Sequence, residues 1–173
     1  MKIHNIPFVI KSVLVEVVDT NNKRYSFTHD AVNNEWDIVG QVVVNPDIEK
    51  FVMYCKNVNE LCEILKKSTI NIVESYDNCV VEDVLYRFRE TKDFFPGYDM
   101  WEEHIKHTNS LKEIFDNEVK SNITELSQIK NIVITAYCGE DIEEDNGEVP
   151  LELQRVYLKP EVKQYVIEIP FNN

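Results

Sequence analysis

From Asn131 to Gln154 the chain reads Asn-Ile-Val-Ile-Thr-Ala-Tyr-Cys-Gly-Glu-Asp-Ile-Glu-Glu-Asp-Asn-Gly-Glu-Val-Pro-Leu-Glu-Leu-Gln, with seven carboxylates and no Lys or Arg. Its first part, Ile132 to Tyr137, is apolar and β-branched and has the length of a buried strand. At Cys138-Gly139 the run empties into an acidic turn, Glu140 to Glu148, and strand-like patterning returns from Leu151 to Leu158.

Both ends of the chain supply partners for such a strand. Between Phe8 and Asp19, Val13, Val15 and Val17 fall on one face and Leu14, Glu16 and Val18 on the other. Thr20-Asn21-Asn22-Lys23 offers turn residues that tolerate positive φ, and Tyr25 and Phe27 alternate with Arg24, Ser26 and Thr28, so the pair predicts a β-hairpin. A polar loop, His29 to Glu35, leads to a third strand from Trp36 to Val44. At the other end Lys159-Pro160 punctuates the chain before a last strand, Lys163 to Phe171, in which Tyr165, Ile167, Ile169 and Phe171 alternate with Val166 and Glu168.

The middle reads mainly as helix. Asn45-Pro46-Asp47 is a helix start, followed by Ile48, Phe51, Val52 and Cys55 on one face. A second short helix, Asn59 to Lys67, turns Leu61, Cys62 and Leu65 inward. Ile70 to Val73 is a short strand, Asp77-Asn78 a turn or cap, and Val80, Val81, Val84, Leu85 and Phe88 take helical spacing, the preferred reading, although Val84, Tyr86 and Phe88 would also alternate as a strand. An aromatic loop from Asp93 to Tyr98 precedes a helix capped by Asp99, with Met100, Trp101, His104 and Ile105. Ser110 and Glu113 form a capping-box pattern for a further helix whose apolar face is Leu111, Ile114, Phe115 and Val119. Ile123, Leu126 and Ile129 extend that stripe past a break near Ser121-Asn122. The expected fold is α+β: a single domain over residues 1–173, its mainly antiparallel sheet built from N- and C-terminal strands, with helices from the middle of the chain on one face.

Composition narrows the function classes. With 173 residues, 43% hydrophobic and 28% charged, the chain can bury a core without staples. It contains no stretch of about 18 apolar residues and no secretory leader pattern, so no membrane partner is expected and the expected location is the cytoplasm. Cys55, Cys62, Cys79 and Cys138 are scattered in apolar contexts and read as buried free thiols. The four glycines stand apart from one another, which leaves no loop suited to cradling phosphates, and no cofactor is implied. The net charge of −13 is uneven: residues 1–80 carry 8 basic and 11 acidic side chains, residues 81–173 carry 10 and 20. That field repels a phosphate backbone and attracts a basic protein surface.

Candidate chemistry is weighed against plainer readings. Asp141, Glu143, Asp145 and Glu152 match positions 1, 3, 5 and 12 of a calcium loop, but Asn146 stands where the loop requires glycine and the flanks look like strands, so a solvated hairpin turn is the better reading. His104 and His107, with Glu103, could face one metal from a helix, yet no third distant ligand is identifiable and no metal site is assigned. Cys138 sits at a strand exit, but the acids beyond it would raise rather than lower its pKa, and no catalytic residue is assigned.

The expected function is therefore that of a non-enzymatic intracellular protein-binding protein, with inhibition of a basic partner as one form it could take. Its contact residues are expected to be Glu140, Asp141, Glu143, Glu144 and Asp145, together with the aromatic loop residues Phe94, Phe95 and Tyr98. Direct nucleic-acid binding is not expected. A small metal-dependent hydrolase built on His104 and His107, and a structural or assembly subunit, are the alternatives.

Overall fold

The alternation of Val13, Val15 and Val17 with Leu14, Glu16 and Val18 commits this segment to an extended strand with one fully apolar face. In the computed structural model, which describes residues 9–32, 40–73, 79–80, 98–139 and 163–171, it forms β1 (Val9–Asp19), paired antiparallel with β2 (Arg24–Asp30). The connecting turn is held by Asp19, whose Oδ1 accepts the backbone N–H groups of Asn21 at 2.8 Å and Lys23 at 2.9 Å. Asn22 takes the positive φ, 65°, that the turn requires.

The apolar run of the C-terminal half becomes β6 (Ile129–Gly139), seated between β1 and β7 (Lys163–Pro170) in the order β2-β1-β6-β7. Every pairing in this sheet is antiparallel. The register lines up Phe27, Val15, Ile134 and Ile167 across all four strands, and Tyr25, Val17, Ile132 and Ile169 beside them. These two rows are buried and form the floor of the core. Val133 and Thr135, on the reverse face of β6, are buried as well, so the central strand is covered on both sides.

The third N-terminal strand does not join this sheet. β3 (Gly40–Val44) pairs with β4 (Thr69–Val73), which pairs with β5 (Cys79–Val80), in a second antiparallel sheet of order β3-β4-β5. Val80 thus enters a strand rather than the expected helix; the rest of that expected helix, the turn at Asp77-Asn78, the segment Trp36 to Val39 and the strand from Leu151 to Leu158 lie outside the described residues. Gly40 passes so close to the Val32 carbonyl that a Cβ there would overlap it.

Helices from the middle of the chain cover the apolar face. α1 (Ile48–Met53) follows a turn in which the Asn45 side chain accepts the Asp47 N–H at 2.9 Å. α2 (Val58–Lys67) is capped by Asn57, which accepts the Glu60 N–H at 2.8 Å while Glu60 accepts the Lys56 N–H at 3.1 Å. α3 is one continuous helix, Tyr98–Asn122. The capping-box pattern at Ser110 and Glu113 marks no boundary: both residues are exposed on the helix surface, where Ser and Glu are tolerated without capping anything. Asp99 likewise lies inside α3, because the helix already begins at Tyr98.

The core joins Ile48 and Val52 of α1, Leu61, Cys62 and Leu65 of α2, and Phe115 and Val119 of α3 to Val42 and Val44 of β3 and the floor of the larger sheet. The rings of Phe27 and Phe115 meet edge to face, their centroids 4.9 Å apart. Two expected core residues face outward instead: Phe51 and Ile114 lie on the flanks of their helices, off the stripes defined by Ile48-Val52 and Phe115-Val119. The expected break after α3 falls at Asn122, but Leu126 then belongs to a 3₁₀ turn (Leu126–Gln128) and Ile129 already to β6.

Candidate functional site

α1 is too short to hide all of its apolar side chains. Ile48 and Val52 enter the core, which leaves Glu49 and Met53, four residues apart, on one flank and Phe51 and Tyr54 on the other. Met53 and Tyr54 are 66% and 72% exposed, high for side chains of this size and apolar character. The Glu49–Met53 flank borders a groove of about 550 Å³ that opens toward the end of β7. Among the described residues Cys55, Leu126, Ile169, Pro170 and Phe171 add to its apolar lining, and Glu49 and Glu168 are its charged members. Phe171 is held there by its backbone N–H, which donates to the Lys130 carbonyl at 3.0 Å. Among the described residues no Lys or Arg lines the groove, and neither Glu49 nor Glu168 makes an ion pair.

Of the contact residues expected from sequence, Glu140, Asp141, Glu143, Glu144, Asp145, Phe94 and Phe95 lie outside the described residues, and Tyr98 is the first residue of α3. Trp101, next to the aromatic loop, is fully buried. His104 uses Nε2 to reach the Asp30 backbone carbonyl at 3.0 Å; that nitrogen is a donor and has no lone pair for a metal. His107 and Glu103 are exposed, and among the described residues no three His, Cys, Asp or Glu side chains converge as a ligand set.

Comparison with family models, curated proteins and solved structures finds no match to this chain. The functional reading therefore rests on its own residues.

A second polar constellation is buried where the two sheets meet. The Asn71 Oδ1 accepts the Val32 N–H at 3.3 Å, which turns its amide nitrogen toward His29 Nε2, 2.8 Å away. Nε2 must then be the acceptor, and Nδ1 carries the proton that it donates to Thr69 Oγ1 at 2.7 Å. Burial, and then the positive charge of Lys112 and of His104, push the His29 pKa down to about 3, so the ring stays neutral. With His29 only 1% exposed and Asn71 fully buried, this chain of bonds fastens β2 to β4 and is closed to substrates. His29 thus lies within β2, one residue before its end, instead of beginning the expected polar loop, because its hydrogen bonds are met inside the protein.

The thiols of Cys55, Cys62 and Cys138 are not activated. Burial raises the pKa of Cys138 by desolvation, while the acids expected to act on it lie outside the described residues. Cys62 is pushed up to about 12 by burial and then by the charge of Asp116. Cys55 is only half-buried, unlike the fully buried thiol expected, and burial and Glu60 raise it too. A thiolate nucleophile needs the opposite surroundings. No helix among the described residues is long and apolar enough to cross a membrane.

The groove was missed by sequence reading because its walls come from Met53, Leu126 and Phe171, far apart in the chain. One signal was present: Met53 and Tyr54 extend the apolar character of α1 beyond what a single inward stripe needs.

Proposed function

We propose that this chain is a protein-binding protein that meets a basic surface of its partner, and that blocking a basic active site is one way it acts. The observation that carries the reading is the net charge of −13, concentrated in residues 81–173; a groove lined by apolar side chains and two carboxylates, with no Lys or Arg among the described residues, offers it a contact surface. Apolar contact supplies affinity in such a surface, while the field of like charges guides a cationic partner toward it and turns away nucleic acid. Glu140, Asp141, Glu143, Glu144 and Asp145 serve as the steering element, since they are the densest run of carboxylates in the chain.

The test begins with affinity capture from the native host and identification of the partner by mass spectrometry, followed by association kinetics at several ionic strengths. A variant with all five acids changed to their amides should associate about tenfold more slowly at low salt, with unaltered thermal stability. A partner with an acidic contact surface, or an association rate indifferent to salt, rejects the proposal.

A further inference from the structure

We infer that the groove between α1 and β7 takes one linear segment of the partner, with an apolar side chain seated among Met53, Cys55, Leu126 and Phe171 and a Lys or Arg to either side reaching Glu49 and Glu168. The inference rests on the partner-binding reading above and specifies the chemistry of what is bound.

Size sets the first limit. A volume of about 550 Å³ is that of a drug-sized ligand site, which corresponds to roughly three or four residues of peptide and not to the face of a globular domain. Chemistry sets the second. The floor has a thioether, a thiol, aliphatic carbons and an aromatic ring, a set that adapts to an aliphatic or aromatic side chain of varied shape. The two carboxylates are exposed and, among the described residues, without a cation, so an incoming ammonium or guanidinium meets its counter-charge while staying partly hydrated. Lys50 and Lys56 are near in sequence but do not line the groove. An acidic segment is repelled twice, at the rim and by the net charge, and a second copy of this chain carries the same −13.

Backbone geometry sets the third limit. β7 ends at Pro170, which has no N–H to offer, so the groove presents side chains more than a strand edge at this point. Recognition therefore depends on the order of apolar and basic side chains in the bound segment.

The experiment uses the full chain, labelled with nitrogen-15, and a short fluorescein-tagged peptide of sequence Lys-Lys-Leu-Phe-Leu-Lys-Lys. Amide shifts on titration should cluster at Met53, Cys55, Leu126 and Phe171. Anisotropy should show about fivefold weaker binding for the double variant Glu49→Gln/Glu168→Gln, the modest loss expected from two solvent-exposed charge pairs. Peptides with Glu in place of Lys, or Ser in place of the apolar residues, should bind at least as poorly. Both substitutions are at exposed positions, so the variant should keep its fold, which its own amide spectrum checks. Shifts that map elsewhere, an unchanged affinity in the double variant, or equal binding of the acidic peptide each overturn the inference. Salt-sensitive binding at another site would remove the groove and leave the proposed function standing; salt-insensitive association with the captured partner would remove the proposed function itself.

Discussion

At Gly40 the chain of β3 runs against the backbone of Val32, whose N–H is in turn bonded to the Asn71 side chain. Both neighbours are fixed, Val32 by that bond and β3 by its ladder with β4, so neither can yield cheaply to an added methyl group. We expect Gly40→Ala to cost about 1–3 kcal/mol, read as a lower urea midpoint with an unchanged slope. A variant with the wild-type midpoint would mean that this close approach is not needed. The glycine is isolated in the sequence, between Val39 and Gln41, and nothing in its immediate neighbours signals the contact. The same holds for Asn71, which sits between Ile70 and Ile72 like an ordinary polar interruption of a strand. Its role depends on His29, which is 42 residues away.

Elements whose signals are local were legible in advance. The β1–β2 hairpin followed from alternation and from Asn22, and the last strand from the alternation of Tyr165, Ile167, Ile169 and Phe171, of which Ile167 and Ile169 are buried while Val166 and Glu168 face solvent. Local signals misled where two structures share one sequence pattern. Ser110 and Glu113 satisfy the spacing of a capping box yet lie midway along α3, because the test of a cap is the backbone before it, which spacing does not encode. The two readings differ in sign for one substitution. Ser110→Ala should stabilise the protein by about 0.5 kcal/mol as an exposed interior helix residue, whereas loss of a true cap would cost about 1 kcal/mol. Thermal melts of the pair decide between them. Pairing partners were the least legible feature at this scale: alternation marks β3 as a strand but does not choose between sheets, and the choice was made by Gly40, Val42 and Val44 meeting β4.

For the molecule as a whole, the buried contact between the sheets makes stability depend on pH. His29 is held neutral down to about pH 3 in the folded state, while an exposed imidazole titrates near 6.5. Between these values the unfolded chain binds a proton that the folded chain does not, so stability is fully present above pH 6.5 and is lost as pH falls toward 3, by up to about 1.4 kcal/mol per pH unit. Urea unfolding at intervals from pH 7 to pH 5, a range above most carboxylate titration, should show this slope; His29→Gln should flatten it whatever its effect at pH 7. An equal slope in the variant would assign the acid sensitivity to other groups. The order of strands in the larger sheet also has a bearing on synthesis. β1 and β2 leave the ribosome early, but the neighbour that covers the open side of β1 is β6, and Val15 meets Ile134 only after 119 further residues have been added. At about 5–20 residues per second the finished hairpin waits several seconds with one edge of β1 unpaired. During that interval the nascent chain offers a binding site to chaperones that the finished protein no longer has.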